Sequence, residues 1–130
     1  MQGFGNNEIS DMTQSLTYNT YFDRYLLVGM AGKISRLTRK LTWGFYFSLS
    51  KDLIHWTDRR LITAAEIPQS FRCGDDNPIA HPSILDPTSR SRNYETSGRH
   101  AYLFFTRFNY RHCRPSADFD LLRIPIEFSK

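Results

Sequence analysis

No run approaching the roughly 18 apolar residues of a membrane span occurs in the chain, so a transmembrane helix is excluded and no membrane partner is expected. The opening Met1-Gln2-Gly3-Phe4-Gly5-Asn6-Asn7 has neither the basic nor the apolar region of a signal peptide. The compartment stays unassigned, because a leader could have preceded this start. Cysteine is scarce: Cys73 and Cys113 are the only two, and their wide separation matches no metal-ligand pair. Two unrelated thiols and a disulfide both stay open, the latter because both residues fall in loops on one face of the repeat unit derived below.

Nucleic-acid modules are also missing. An arginine cluster gathers late in the chain, at Arg90, Arg92, Arg99, Arg107, Arg111 and Arg114, within a formal net charge of +4. No helix-turn-helix, zinc module or aromatic single-strand platform accompanies it. The cluster reads as solvated loop surface, and a nucleic-acid partner is the weakest of the functional readings.

What the chain has in quantity is aromatic rings, ten Phe and seven Tyr among 130 residues, in short apolar runs that favour strands over helices. That length suits one folding unit. Alternation and turn residues place strands at Ser15 to Asn19 and Arg24 to Met30 around a turn at Tyr21-Phe22-Asp23. A basic link from Gly32 to Lys40 leads to an aromatic strand at Trp43 to Ser48, a turn through Lys51 to His55, and a strand at Asp58 to Thr63. Pro68, Gly74, Asp75, Asp76 and Asn77 mark the stretch from Ala64 to Pro78 as loop. A second series follows: His81 to Leu85, a polar loop Asp86 to Arg99, Ala101 to Thr106, and a last strand from Leu121 to Phe128.

The two series repeat. Tyr25-Leu26-Leu27-Val28-Gly29 aligns with Tyr102-Leu103-Phe104-Phe105-Thr106, each after a short strand carrying Ser15 or Ser83. Phe45-Tyr46-Phe47-Ser48-Leu49 aligns with Arg123-Ile124-Pro125-Ile126-Glu127. Repeated four-strand units predict β-propeller blades. The expected organisation is a lead segment over 1–13 with the Gly/Asn composition of disorder, a first blade over 14–65, an inter-blade loop over 66–78, and a second blade over 79–130 that lacks its outer strand. Open blade faces and edges would then need upstream blades or copies of the chain to cover them.

Three passages carry a family resemblance. Gly44-Phe45-Tyr46-Phe47-Ser48-Leu49-Ser50-Lys51-Asp52-Leu53-Ile54-His55-Trp56 resembles the "Y-x-S-x-S-x-D-L-x-x-W" strand and turn of the five-bladed propeller glycosidases, the arabinanase/β-xylosidase and invertase/levansucrase groups. His81-Pro82-Ser83-Ile84-Leu85-Asp86-Pro87 is similar to their "P-S-L-L-D-P" strand, and Tyr18-Asn19-Thr20-Tyr21-Phe22-Asp23-Arg24-Tyr25-Leu26 to their "W-N-x-Y-x-x-R-Y" hairpin. The resemblance implies an all-β fold of two consecutive four-stranded antiparallel blades from the C-terminal end of a five-bladed propeller. It implies carbohydrate as the ligand, and a parent protein of an exported kind. In the turn motif, Ser50, Asp52 and Trp56 are structural: Asp52 accepts turn amides and Trp56 packs back between blades.

The glycosidase carboxylates of such proteins lie in earlier blades, so the resemblance places none of them in this chain. Its own carboxylates show no partnered arrangement of the kind glycoside hydrolysis needs. Asp75 and Asp76 are adjacent and point apart, Glu66 and Glu95 sit in polar loops, and Glu8 lies in the lead segment. No catalytic residue is assigned. Sugar contacts are expected from Tyr18, Tyr21, Asp76, Asn77, His81 and Arg107. The resemblance also makes His81 the one metal candidate, with calcium at the propeller axis of an intact protein. The alternative functions are a self-assembling binding or scaffold module and, more weakly, nucleic-acid binding.

Overall fold

The computed structural model describes Met12 and residues 14–130. The lead segment expected over 1–13 therefore lies outside the described residues apart from Met12, and Glu8 with it. Eight strands order along the chain as β1 (Ser15–Asn19), β2 (Arg24–Ile34), β3 (Leu41–Ser50), β4 (Arg60–Ala64), β5 (Ile79–Leu85), β6 (Thr96–Ser97), β7 (His100–Phe108) and β8 (Phe119–Glu127). There is no α-helix among the described residues, and the chain is all-β. One sheet has the order β4-β3-β2-β1-β6 and the other β5-β7-β8. Every pairing is antiparallel except that of β1 with β6.

Period-two alternation explains the packing. On β2, Leu26 and Val28 face one apolar cluster while Leu27 and Ala31 face another; on β3, Phe45, Phe47 and Leu49 join the first and Tyr46 the second. The second sheet adds Ile84, Ala101, Leu103 and Phe105 to the first cluster, so the two sheets share one core. Phe128 closes it from the second sheet, its ring 5.5 Å from both Phe22 and Phe47. Gly44 sits where β3 and β4 shift register, and a side chain there would bring Cβ to 2.1 Å from the carbonyl oxygen of Thr63. Only glycine fits that approach.

Four features depart from the sequence reading. The basic link from Gly32 to Lys40 is shorter than expected, because Gly32, Lys33 and Ile34 pair with Trp43, Thr42 and Leu41 and carry the β2–β3 hairpin outward. The polar loop from Asp86 to Arg99 contains a 3-10 turn at Arg92–Tyr94 and then β6, which crosses to the first sheet. That sheet thus has five strands where four were expected. Finally, the match of Phe45–Leu49 to Arg123–Glu127 is displaced by three residues. Val28 faces Phe47 and its counterpart Phe105 faces Leu122, so Leu122 and not Pro125 occupies the place of Phe47. An odd displacement swaps the two faces of a strand, and Leu122 accordingly packs on the shared core.

The crossing of β6 is held by polar groups. Asn19 is fully buried, donates to the Ser97 hydroxyl and the Gly98 carbonyl, and accepts the amides of Tyr21 and Phe22. Thr17 shares a hydrogen bond with the same Ser97 hydroxyl, and the Thr20 amide and hydroxyl donate to the Ser97 carbonyl. Each buried group finds a partner, which is what makes such a junction affordable inside a fold.

Candidate functional site

The six residues expected to touch sugar divide between opposite ends of the second sheet. Tyr21 lies by the start of β7, with the Arg99 guanidinium 5.4 Å from its ring and the Lys130 ammonium 5.0 Å away. Tyr18 is near it on β1, its amide donating to the Glu95 carbonyl, its hydroxyl donating to the Asp23 carboxylate and its ring edge-on to Tyr25. The Asp23 hydrogen bond is the main reason the Tyr18 phenol titrates above its ordinary value, since ionisation would break that bond. His81 and Arg107 lie at the far end of β7, and the Asp76–Asn77 loop leads into β5 there. At about 3.3 Å per residue the nine residues of β7 separate the two groups by roughly 25 Å. One ligand of a few sugar units does not reach both.

The second group has the more developed surroundings. Phe108 donates its amide to the Pro78 carbonyl, joining the end of β7 to the loop before β5. From Phe108 an aromatic cluster spreads out: His81 lies 6.1 Å away, Tyr110 6.0 Å, Phe119 6.3 Å, and Phe71 meets Tyr110 edge-on at 4.8 Å. Cys73 and Cys113 form a disulfide with Cα atoms 5.0 Å apart, tying together the two loops that carry Phe71 and Tyr110. Of the two thiol readings left open by the sequence, this is the bonded one.

Polar groups border these rings. Arg107 pairs with Asp120 across the β7–β8 ladder at 3.2 Å, and the Asn109 amide donates to the same carboxylate. Asp76 and Asn77 are exposed on the neighbouring loop, whereas Asp75 is a turn residue that accepts the Arg72 amide. His81 has φ 56° inside the bulge between Ala80 and Ser83, which lifts it out of the ladder. Non-glycine residues enter this left-handed region uncommonly, His more readily than most. Sequence reasoning missed Phe71, Phe108, Tyr110, Phe119, Asn109 and Asp120. Their density of aromatic and amide side chains near the cysteines was the available signal.

A calcium ion needs several oxygen ligands. Among the described residues no three His, Cys, Asp or Glu side chains converge, and the Phe108 ring lies 6.1 Å from that of His81.

The turn after β3 is a separate, structural constellation. The Ser50 hydroxyl accepts the amides of Asp52 and Leu53, and one Asp52 oxygen accepts those of Ile54 and His55, each at 2.8 Å. The other oxygen pairs with His55 Nδ1 at 2.7 Å. The His55 amide, the His55 ring and the Ile54 amide hold the Asp52 carboxyl well below the usual carboxylate range. Trp56 packs against Leu27, Ala31, Tyr46 and Met12, on the face of the first sheet opposite the shared core. It does not lie between the two described sheets, because Leu27 and Ala31 alternate away from the core-facing Leu26 and Val28.

Half of the arginine cluster faces carboxylates: Arg99 pairs with Glu127, Arg107 with Asp120 and Arg111 with Asp118. No helix among the described residues is long and apolar enough to cross a membrane. In comparisons with known proteins, no family model, no curated protein and no solved structure matches the chain.

Proposed function

We propose that the chain supplies part of a carbohydrate-binding wall in a glycoside hydrolase-like β-propeller, its two sheets being consecutive blades, without the catalytic carboxylates. The antiparallel order β4-β3-β2-β1 and its echo in β5-β7-β8 support the blade reading. The observation that carries the sugar reading is the aromatic cluster around Phe108 beside Arg107, Asn109 and Asp120. Ring faces take the apolar side of a sugar, and amide, guanidinium and carboxylate groups take its hydroxyls. Phe119, 57% exposed, is the ring most open to such a ligand.

A titration of the protein with arabino-, xylo- and fructo-oligosaccharides, followed by NMR shifts, tests this reading. Saturable shifts from one of the three series, weakened about tenfold by Phe119→Ala and by Arg107→Ala, are the expected result. Absence of saturable shifts with every series, or binding indifferent to both substitutions, would overturn it.

A second reading, a self-assembling module, is favoured by one observation. β8 is an edge strand and leaves Phe119, Leu121 and Ile124 exposed at 57%, 69% and 40%. Copies could cover that edge symmetrically. Light scattering decides: a defined oligomer supports assembly, and a monomer at high concentration removes it.

A further inference from the structure

The most exposed large apolar side chain among the described residues lies outside the Phe108 cluster. Leu37 is 95% exposed at the tip of the β2–β3 hairpin, and Ile34, Leu41 and Leu61 are 57%, 44% and 46% exposed around it. All four line one open groove of about 1000 Å³ between the hairpin tip and the start of β4. The tip is locally well fixed. The Ser35 amide donates to the Lys40 carbonyl at 2.9 Å, and the Arg39 amide donates to the Ser35 carbonyl at 2.8 Å. The Ser35 hydroxyl also accepts the Thr38 amide. Leu37 is thus presented by a formed turn.

Charge surrounds these apolar groups on one pattern. The segment Lys33-Ile34-Ser35-Arg36-Leu37-Thr38-Arg39-Lys40-Leu41-Thr42 holds four cations and no acid. Arg60 adds another on the β4 side of the groove, where Asp58 is the one carboxylate among the described residues of the lining. Leucine at an apex ringed by Lys and Arg matches the layering of an anionic bilayer surface, where acyl chains lie beneath a sheet of negative headgroups. A second copy would bring the same cations against these and be repelled. Nucleic acid would use the cations but has no use for Leu37, and Tyr46 in the groove is buried with its hydroxyl on the Thr42 carbonyl, so it offers no face to bases.

We infer that the β2–β3 hairpin tip is a peripheral docking surface for anionic lipid bilayers, with Leu37 entering the headgroup region and Arg36, Arg39 and Lys40 contacting the headgroups, while the Lys33 ammonium donates to the Arg59 carbonyl at 3.0 Å. The sequence led to an expectation of no membrane partner because it lacks a spanning run, but a surface contact requires none. The inference rests on the hairpin alone and is independent of the sugar reading.

Co-sedimentation of the 130-residue protein with vesicles tests it, using phosphatidylcholine alone and phosphatidylcholine with phosphatidylserine. Binding is expected to the mixed vesicles and to be at least about tenfold weaker to the neutral ones. Each neutralised cation should cost about fivefold in affinity. Leu37→Ser should weaken the mixed-vesicle binding about tenfold, a change that a purely electrostatic contact would not show. Far-UV circular dichroism of Leu37→Ser checks the fold, which a fully exposed turn residue does not hold together. No binding to mixed vesicles, or binding unaffected by Leu37→Ser, overturns the inference. Preferential retention of the protein by duplex DNA or a sulfated polysaccharide, with Leu37→Ser behaving as wild type, overturns it in favour of a polyanion surface.

Discussion

Asn19 on β1 donates its side-chain amide to the Ser97 hydroxyl on β6 at 3.1 Å, joining strands 78 residues apart in sequence. Both residues are buried, so neither can trade this partner for water without opening the structure. Through this contact and its neighbours, the excursion from the second sheet is anchored on the first.

Asn19→Ala is the direct test. The substitution orphans the Tyr21 and Phe22 amides, which now donate to Asn19, and removes a donor to Ser97 and Gly98. Buried groups left unpaired cost about 1–3 kcal/mol each, and partial relaxation brings the expected loss to about 3 kcal/mol in a urea unfolding curve. A loss under about 0.5 kcal/mol would show that the β6 crossing contributes nothing to stability.

The turn after β3 makes an acid-range prediction. Asp52 is held below its ordinary value of 3.8, so its stabilisation is fully present above that pH and is lost as pH falls below it. Asp52→Asn should therefore be less stable than wild type at neutral pH, with the gap closing as the solution is acidified below about pH 4. Thermal melts across that range check the sign. A gap that stays constant into strong acid would mean that ionisation of Asp52 is not what stabilises the turn.

Much of this arrangement is legible in the sequence, and for a physical reason. Arg24–Ile34 and Leu41–Ser50 are dense apolar and aromatic runs bounded by turn residues, so the strands themselves are legible, whereas Leu26, Leu27 and Val28 are consecutive and Gly44 to Ser50 is buried on both faces, so which face meets the other sheet is not. The turn at Ser50-Lys51-Asp52 is equally local, every bond closing within five residues. β6 is not legible, because a two-residue strand has no period to read and its partner β1 is distant. The β8 offset fails for a related cause. Leu121, Leu122, Ile124 and Ile126 are apolar on both faces, and only pairing with β7 shows that Leu122 and Ile126 pack on the core. Phe71, Phe108, Tyr110 and Phe119 come together through the disulfide and the β5–β7 pairing, which spacing alone leaves open.

Reduction should loosen that end of the molecule first. The Cys73–Cys113 link spans 40 residues, a loop for which chain entropy gives a stabilisation of about 2–4 kcal/mol. The Cys73→Ser/Cys113→Ser double variant should lose about that much in denaturant, and hydrogen exchange should quicken in residues 70–78 and 109–118 before the β2–β3 hairpin responds. Unchanged stability and exchange would show that the aromatic contacts of Phe71 and Tyr110 hold these loops unaided.

Phe128 provides the sharpest test of whether the two sheets unfold together. Its amide donates to the Arg99 carbonyl, fixing it to the second sheet, while its ring packs on Phe22 and Phe47 of the first. Truncating a buried Phe to Ala costs about 3–5 kcal/mol through lost transfer energy and the cavity left behind. Because the shared core draws Leu26, Val28 and Phe47 together with Leu103 and Phe105, that loss should be felt by both sheets at once. Phe128→Ala is expected to lower the midpoint of a single cooperative transition, monitored in parallel by tryptophan fluorescence, which reports Trp43 and Trp56 in and beside the first sheet, and by hydrogen exchange along β7. If the fluorescence transition stays at its wild-type midpoint while β7 exchanges freely, the sheets are separate folding units and the common core is a contact between them rather than the source of their stability.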